Sequence, residues 1–250
     1  MRDHYVGAMR GVALGICPDV TLADITHEID AQDVLGGALE LAAAYKYFPQ
    51  GTVFLCVVDP GVGSARRGLA AEAAGYRFVA PDNGLLTMVF KETAPAQVVE
   101  LTERQYARPT VSRTFEGRDR FAPAAAWLAK GIELTAMGRP AGAIARLDLP
   151  QPRVAQDEIE GLVLRVDRFG NLITNIDRKT FEKLSGAPLD IQVGSRQVSK
   201  VVSTYADATA GDVCALFGST DHLEIAANGA SAAEELGLGR GASVHIARRA

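Results

Sequence analysis

The sequence predicts a two-part α/β protein: an N-terminal α/β domain with a largely parallel central sheet over residues 1–148, followed by a C-terminal antiparallel β-barrel domain over residues 158–250. Three observations carry this expectation. Up to about residue 145, apolar runs of strand length alternate with Ala- and Leu-rich segments of helical period, the pattern of a sheet covered by helices. After residue 158, short β-rich runs recur between turn signals, as in a small barrel or sandwich. Between them, residues 146–158 carry Pro150, Pro152 and several charges without helical periodicity, which marks a domain boundary.

The elements follow in order. Val6–Cys17 fits a helix ended by Pro18, Val20–Asp24 a short strand, and Val34–Tyr47 an amphipathic helix. Gly51–Asp59 is a continuous apolar β-rich run, read as a strand buried on both faces, and it ends in Asp-Pro-Gly-Val-Gly63. In open α/β sheets the loops at the carboxyl ends of strands line the ligand crevice, so Asp59 sits where function concentrates. Gly68–Ala74 and Tyr76–Ala80 read as a hairpin leading into Pro81-Asp-Asn-Gly84, a turn sequence, with helix from Leu85 to Phe90. A second polar loop, 113–121, runs into a helix over 123–130, where Pro123 suits the first turn because its missing N–H would be unpaired there anyway. In the second half, β-runs are expected at 160–166, 171–176, 191–193, 198–205, 212–217, 223–227 and 243–247, with one short helix over 231–237 closed by Gly237.

Composition narrows the function. A chain of 250 residues with 48% hydrophobic and 22% charged content has ample core and is not disordered. Lys+Arg total 26 against 30 Asp+Glu, a net charge of -4, so the sequence lacks the electrostatic footprint of a nucleic-acid or anionic-membrane binder. Its apolar stretches stop well short of the roughly 20 residues of a spanning helix, and the start lacks a signal-peptide core, so the chain reads as cytoplasmic. Cys17, Cys56 and Cys214, three in number, widely spaced and in apolar contexts, read as buried thiols rather than a disulfide frame or metal site. Four scattered histidines offer no ligand spacing.

Three loops hold most of the chemistry. Asp59 with Arg66 seven residues on pairs a carboxylate with a cation, and Thr114-Phe-Glu-Gly117 brings a second carboxylate, Glu116. By residue type alone, these groups are equally compatible with an ion-pair network at a loop rim. Asp167-Arg-Phe-Gly-Asn171 and Asn228-Gly-Ala-Ser231 combine one aromatic with short hydrogen-bonding groups, and each also suits a plain tight turn. Gly61-Val-Gly63 after a strand has Arg66 and Arg67 where a dinucleotide fingerprint needs its third glycine.

Taken together and in this order, the segments resemble the S-adenosyl-L-methionine (SAM) hydrolases, or SAM hydroxide adenosyltransferases, relatives of the fluorinase and chlorinase. The matching stretches are 3–11, Asp24-Ile-Thr-His27, Phe48–Val53, Val57–Gly63, Ala80–Thr87, Gly117-Arg-Asp119 with Phe121-Ala-Pro123, Asp167–Asn175, and Leu223–Ala226 with Asn228-Gly229, which span nearly the whole chain. The resemblance implies hydrolysis of SAM at the ribose 5′ carbon by an activated water, giving adenosine and methionine. It also implies a homotrimer whose active sites lie between the N-terminal domain of one subunit and the C-terminal domain of its neighbour. The implied substrate is SAM, and no cofactor or metal is implied.

By the family's pattern, Asp59 and Arg66 activate the water, and Glu116 occupies the third catalytic position, where the hydrolases carry a His in a Thr-Phe-His-Gly-Arg-Asp segment. Asp167 and Ser219 match positions that hold the methionine amino and carboxylate groups. Phe169, Asn171, Asn228 and Gly229 match the adenine end, and Phe115 lines the pocket. Asp59, Val62, Gly117 and Thr220 replace a tyrosine, a threonine, a halide-binding serine and an arginine of the fluorinase. Each replacement points away from halide chemistry, since a carboxylate at 59 repels the anion. The Glu for His exchange motivates a different alternative, a non-catalytic SAM or adenosine binder. Family members also open with a strand and a Thr-Asp-Phe-Gly-type turn, whose Asp holds the ribose hydroxyls, ahead of the stretch matching 3–11. This chain opens after that point, so the expectation is a sheet without its first strand, with Met1 internal to a longer protein.

Overall fold

The computed structural model describes residues 3–184, 186 and 188–249. The chain divides into two compact units, Met1–Asp148 and Leu149–Ala250.

In the first unit, α1 (Tyr5–Ile16) is followed by an irregular stretch and α2 (Val34–Ala44), which Asp33 caps by accepting from Gly36 N–H. Strand β1 (Val53–Leu55), the hairpin β2 (Gly68–Ala73) and β3 (Tyr76–Pro81), α3 (Thr87–Glu92), β4 (Gln97–Glu100) and α4 (Ala122–Ala129) complete it. The four strands form one sheet in the order β1-β3-β2-β4.

Alternation along the strands builds three layers. Phe54, Ala71, Phe78 and Ala80 pack with Leu41 of α2 and Val89 and Phe90 of α3 on one face. Ala70, Val79 and Val99 pack with Ala124 and Leu128 of α4, Leu134 and Met137 on the other.

The expected largely parallel sheet is mixed. The β1–β3 pair is parallel, while β2–β3 and β2–β4 are antiparallel, because Ala74 and Gly75, both at positive φ, turn the chain back after six residues instead of sending it through a crossover helix. The long strand expected over 51–59 contracts to three residues. The strand expected at Val20–Asp24 is irregular and exposed, with Asp24 paired to Arg10 and, at 3.1 Å, to His27 rather than to a sheet edge.

The second unit contains β5 (Arg153–Val154), β6 (Glu158–Val166), β7 (Leu172–Asp177), α5 (Arg178–Phe181), β8 (Leu189–Val193), β9 (Arg196–Val198), β10 (Val213–Phe217), β11 (His222–Ala227), α6 (Ala232–Leu236) and β12 (Ser243–Arg248). Its sheet runs β10-β11-β7-β6-β12-β8-β9, with β5 paired to β6, and every pairing between named strands is antiparallel. A bridge from Val201, just past β9, to Ala215 of β10 brings the two edges together and nearly closes the sheet. Register shifts in β6 (Val163/Arg165) and β11 (His222/Glu224) supply the bends that such curvature needs. Inward residues Ile159, Val163, Leu172, Ile191, Ile225 and Ile246 form its core.

Of the three cysteines, all free, Cys214 is buried as expected, while Cys17 and Cys56 are only partly so. No helix among the described residues is long and apolar enough to cross a membrane.

Candidate active site

The chemistry of the first unit collects at one edge of its sheet. Because β1 and β3 run parallel, the loops that leave them, 56–63 and 82–86, emerge on the same side. The hairpin register sets Gly68 opposite Pro81, so Arg66 and Arg67 arrive at that edge as well. Asn83 ties the loops together, donating from its Nδ2 to Val58 O at 2.8 Å while its Oδ1 accepts from Leu85 N–H at 3.2 Å. Arg67 pairs with the largely buried Asp82.

The loop carrying Glu116 is docked by glycine. Gly63 has φ +77°, and a β-carbon there would lie 2.2 Å from Arg113 O, so backbone meets backbone at a distance no other residue permits. Arg113 returns the contact by donating to Gly63 O at 3.2 Å. A single π-helical turn, Gly117–Phe121, follows Glu116 directly, a local irregularity often found at functional sites. Its pillar is Asp119. This fully buried carboxylate accepts from Arg118 Nε and Nη2 at 2.6 and 2.7 Å, from Arg108 Nη1 at 3.1 Å and from Ser112 N–H at 2.9 Å. Burial alone would push its carboxyl up, but these donors outweigh burial and hold it below the usual carboxylate range.

Asp59, Arg66 and Glu116 meet at this edge. Arg66 Nη2 lies 2.5 Å from Asp59 Oδ2 and 2.9 Å from Glu116 Oε2. The three side chains are only 6%, 7% and 9% exposed, so this is not a solvated rim pair. Arg66 also donates to Arg67 O at 3.0 Å and lies over the Phe121 ring at 5.1 Å, which fixes the guanidinium plane. Burial raises the Asp59 carboxyl above its ordinary value, Arg66 pulls it down, and Glu116, sharing the same nitrogen, pushes it up again. Asp59 Oδ1 and Arg66 Nε are buried and have no hydrogen-bond partner among the described residues. An open acceptor and an open donor on two side chains that are themselves paired can polarise a small nucleophile such as water. Phe115 is half-buried, edge-on to Tyr5 at 4.8 Å and covered by Arg118 at 4.8 Å.

The candidate residues of the second unit gather around two turns. Asp167 folds back on its own loop, its Oδ1 accepting from Phe169 and Asn171 N–H at 2.8 and 2.9 Å and its Oδ2 from Asn171 Nδ2 at 2.9 Å. That leaves Phe169 75% exposed at the tip. Gly170, at φ +84°, lets this turn press against Ser231, since a β-carbon there would meet Ser231 Oγ at 2.1 Å. Ser231 in turn caps α6, accepting from Glu234 N–H. The loops 167–171 and 228–231 are therefore brought together. Asn228 is fixed by donating to Ala208 O at 2.8 Å, and Gly229 takes φ +74°.

Ser219 is exposed in the turn before β11, at the other end of that strand from Asn228. This turn rests on buried Glu224, because a β-carbon on Gly218 would lie 1.7 Å from Glu224 Oε1. Burial, opposed by the 3.2 Å hydrogen bond from Tyr205 Oη and reinforced by Asp167, raises the Glu224 carboxyl.

Sequence reasoning missed several of these supports. Asn83 was legible only as a turn residue. Glu224 carried a signal, a charge inside the apolar run 223–227. Arg120, whose Nη1 lies 3.7 Å from Glu116 Oε2, is four residues beyond Glu116, the helical spacing of an ion pair.

The profile of the SAM hydroxide adenosyltransferase N-terminal domain matches residues 1–138, and that of the C-terminal domain matches residues 161–245. The chain belongs to the SAM hydroxide adenosyltransferase family. It is 38% identical to a protein of Thermus thermophilus named (R)-S-adenosyl-L-methionine hydrolase, over 98% of this chain and 95% of that one. It is also 32% identical to a fluorinase of Nocardia brasiliensis, over 98% and 92%. The crystal structure of an uncharacterized conserved protein from Thermotoga maritima superposes with a TM-score of 0.94 at 35% identity, covering 99% of this chain and 97% of that one.

Proposed function

We propose that this protein hydrolyses S-adenosyl-L-methionine at the ribose 5′ carbon, giving adenosine and methionine, with Asp59 as the base. The observation that carries the reading is Asp59 itself: a buried carboxylate with one oxygen held by Arg66 and the other without a hydrogen-bond partner among the described residues. Water would donate to Oδ1 and accept from Arg66 Nε, which aims a lone pair at the carbon. As its oxygen bonds to the 5′ carbon, the carbon–sulfur bond breaks, sulfur keeps the electron pair and leaves as a neutral thioether, and the proton passes to Asp59. Positive charge on the sulfonium and negative charge on the nucleophile cancel along this path, so a dry, preorganised site favours it.

Asp167, Phe169, Asn171, Ser219, Asn228 and Gly229 are the residues proposed to hold the methionine and adenine ends, with Phe115 beside the reacting centre. The proposed assembly is a cytoplasmic homotrimer in which the Asp59 site of one subunit is completed by the second unit of a neighbour. The name of the Thermus relative further suggests the R epimer at sulfur as the preferred substrate. A fluorinase-like reaction is disfavoured because a halide would sit against the carboxylates at 59 and 116.

The test is incubation of the purified protein with each SAM epimer in oxygen-18 water. Adenosine carrying the heavy oxygen, absent with Asp59→Ala, is the expected result. Bound SAM with no adenosine formed would overturn the reading in favour of a SAM or adenosine binder, and turnover only with added halide would favour the adenosyltransferase.

A further inference from the structure

Two carboxylates on one guanidinium leave the proposed site short of positive charge, and a second arginine stands behind Glu116. We propose that Arg120 is a positioning residue: paired with Glu116, it keeps that side chain as a holder of Arg66 and leaves Asp59 as the ionised acceptor of the water proton. The proposal rests on the hydrolase reading given above.

The geometry supports it from both sides. Arg120 is the last but one residue of the π-helical turn, and its Nη1 lies 3.7 Å from the same Glu116 oxygen, Oε2, that Arg66 approaches at 2.9 Å. Glu116 is thus shared by two guanidiniums, of which Arg66 also holds Asp59. Among the described residues, the charged side chains that act on the Asp59 carboxyl are Arg66 and Glu116, and those paired with Glu116 are Arg66 and Arg120. Arg120 therefore reaches Asp59 through Glu116.

Without Arg120, the whole charge of Glu116 would fall on the nitrogen that also holds Asp59. The two carboxylates would then compete for it, making Asp59 easier to protonate and a poorer acceptor. Arg120 also lines a cavity of about 120 Å³ with Leu101, Glu103, Arg104, Tyr106 and Met137, so an unbranched neutral side chain has room there, and Glu116 keeps Arg66 as its partner.

The experiment is a double-mutant cycle read by pH. Rates of SAM cleavage are measured against pH for the full chain, Arg120→Met, Arg120→Lys, Glu116→Gln and the Arg120→Met/Glu116→Gln double variant, with thermal melts checking that each folds. In parallel, the Asp59 side-chain carbon is titrated by carbon-13 NMR, assigned by its loss in Asp59→Asn. The acid limb and the Asp59 titration are both expected to move up by about half a pH unit or more in Arg120→Met and down in Glu116→Gln. Lysine at 120 restores the native position, and Arg120→Met produces no shift in the Glu116→Gln background. Turnover with an acid limb unmoved by Arg120→Met, or moved equally in both backgrounds, would overturn the proposal. Absence of turnover with the NMR shifts intact would instead remove the hydrolase reading and leave the coupling of Arg120 to Asp59 standing.

Discussion

Asp59 decides what the site can do. Its folded-state carboxyl is raised by burial, so it binds a proton more readily in the native protein than in the unfolded chain. As a base it works only when ionised. Cleavage is therefore expected to fall as pH drops through a value above the ordinary carboxylate range, which a kcat/KM profile against pH would locate. For stability the sign is opposite: across the window between the ordinary and the raised value, ionising Asp59 costs the fold as pH rises, so mild acid does not weaken the protein through this residue. Asp59→Asn keeps shape and removes the base. It is expected to lower kcat by about 10²–10⁴-fold with little change in KM, and stopped-flow or discontinuous assay of adenosine release checks the split.

The π-helical turn 117–121 is the element that delivers Glu116, and Asp119 is what holds it. Asp119→Ala removes charge-assisted bonds from Arg118 and Arg108 and leaves the Ser112 N–H without its acceptor. Both arginines retain access to water, so the expected loss is about 2 kcal/mol rather than the larger cost of a stranded buried charge. Denaturant unfolding measures it. Since the Asp119 carboxyl is depressed in the folded state, its contribution is present above the unfolded carboxylate value and is lost as pH falls through the folded one. Wild type should therefore lose stability on acidification by more than Asp119→Ala does, and parallel melts at pH 7 and below pH 4 compare them. Phe121, fully buried against α4, anchors the far end of the turn, so loosening Asp119 frees one end only.

At the scale of the whole molecule, the proposed catalytic and substrate-holding groups belong to different units. Asp59, Arg66 and Glu116 lie in Met1–Asp148, and Asp167, Asn171 and Asn228 in Leu149–Ala250. A trimer with sites shared between neighbours makes two predictions. Sedimentation equilibrium should give three times the 26.5 kDa chain mass. Asp59→Asn and Asp167→Ala chains, each inactive alone, should regain activity when co-assembled, because some mixed sites receive an intact first unit and an intact second unit. Recovery absent from a verified mixed trimer would sink the shared-site arrangement.

The sequence by itself determined the order of elements and the residue types at the site. The turn signals at 59–63, 81–84 and 167–171 are local, and local patterns bias the chain toward particular strands, turns and caps, although the apolar run 51–59 forms strand only over Val53–Leu55. That is why α1, α2, the β2–β3 hairpin and most barrel strands were legible, while the grouping of Asp59, Arg66 and Glu116 as one catalytic set came from the family resemblance. Tertiary structure decided what no local pattern contains. Whether Val20–Asp24 pairs with a sheet, and which strands run parallel, depends on partners distant in sequence. That one nitrogen of Arg66 would serve both carboxylates, with Asp59 Oδ1 left open, follows from Gly63 seating against Arg113 and Asn83 against Val58. Those contacts join segments 25 and 50 residues apart, and only packing of the folded chain brings them within reach.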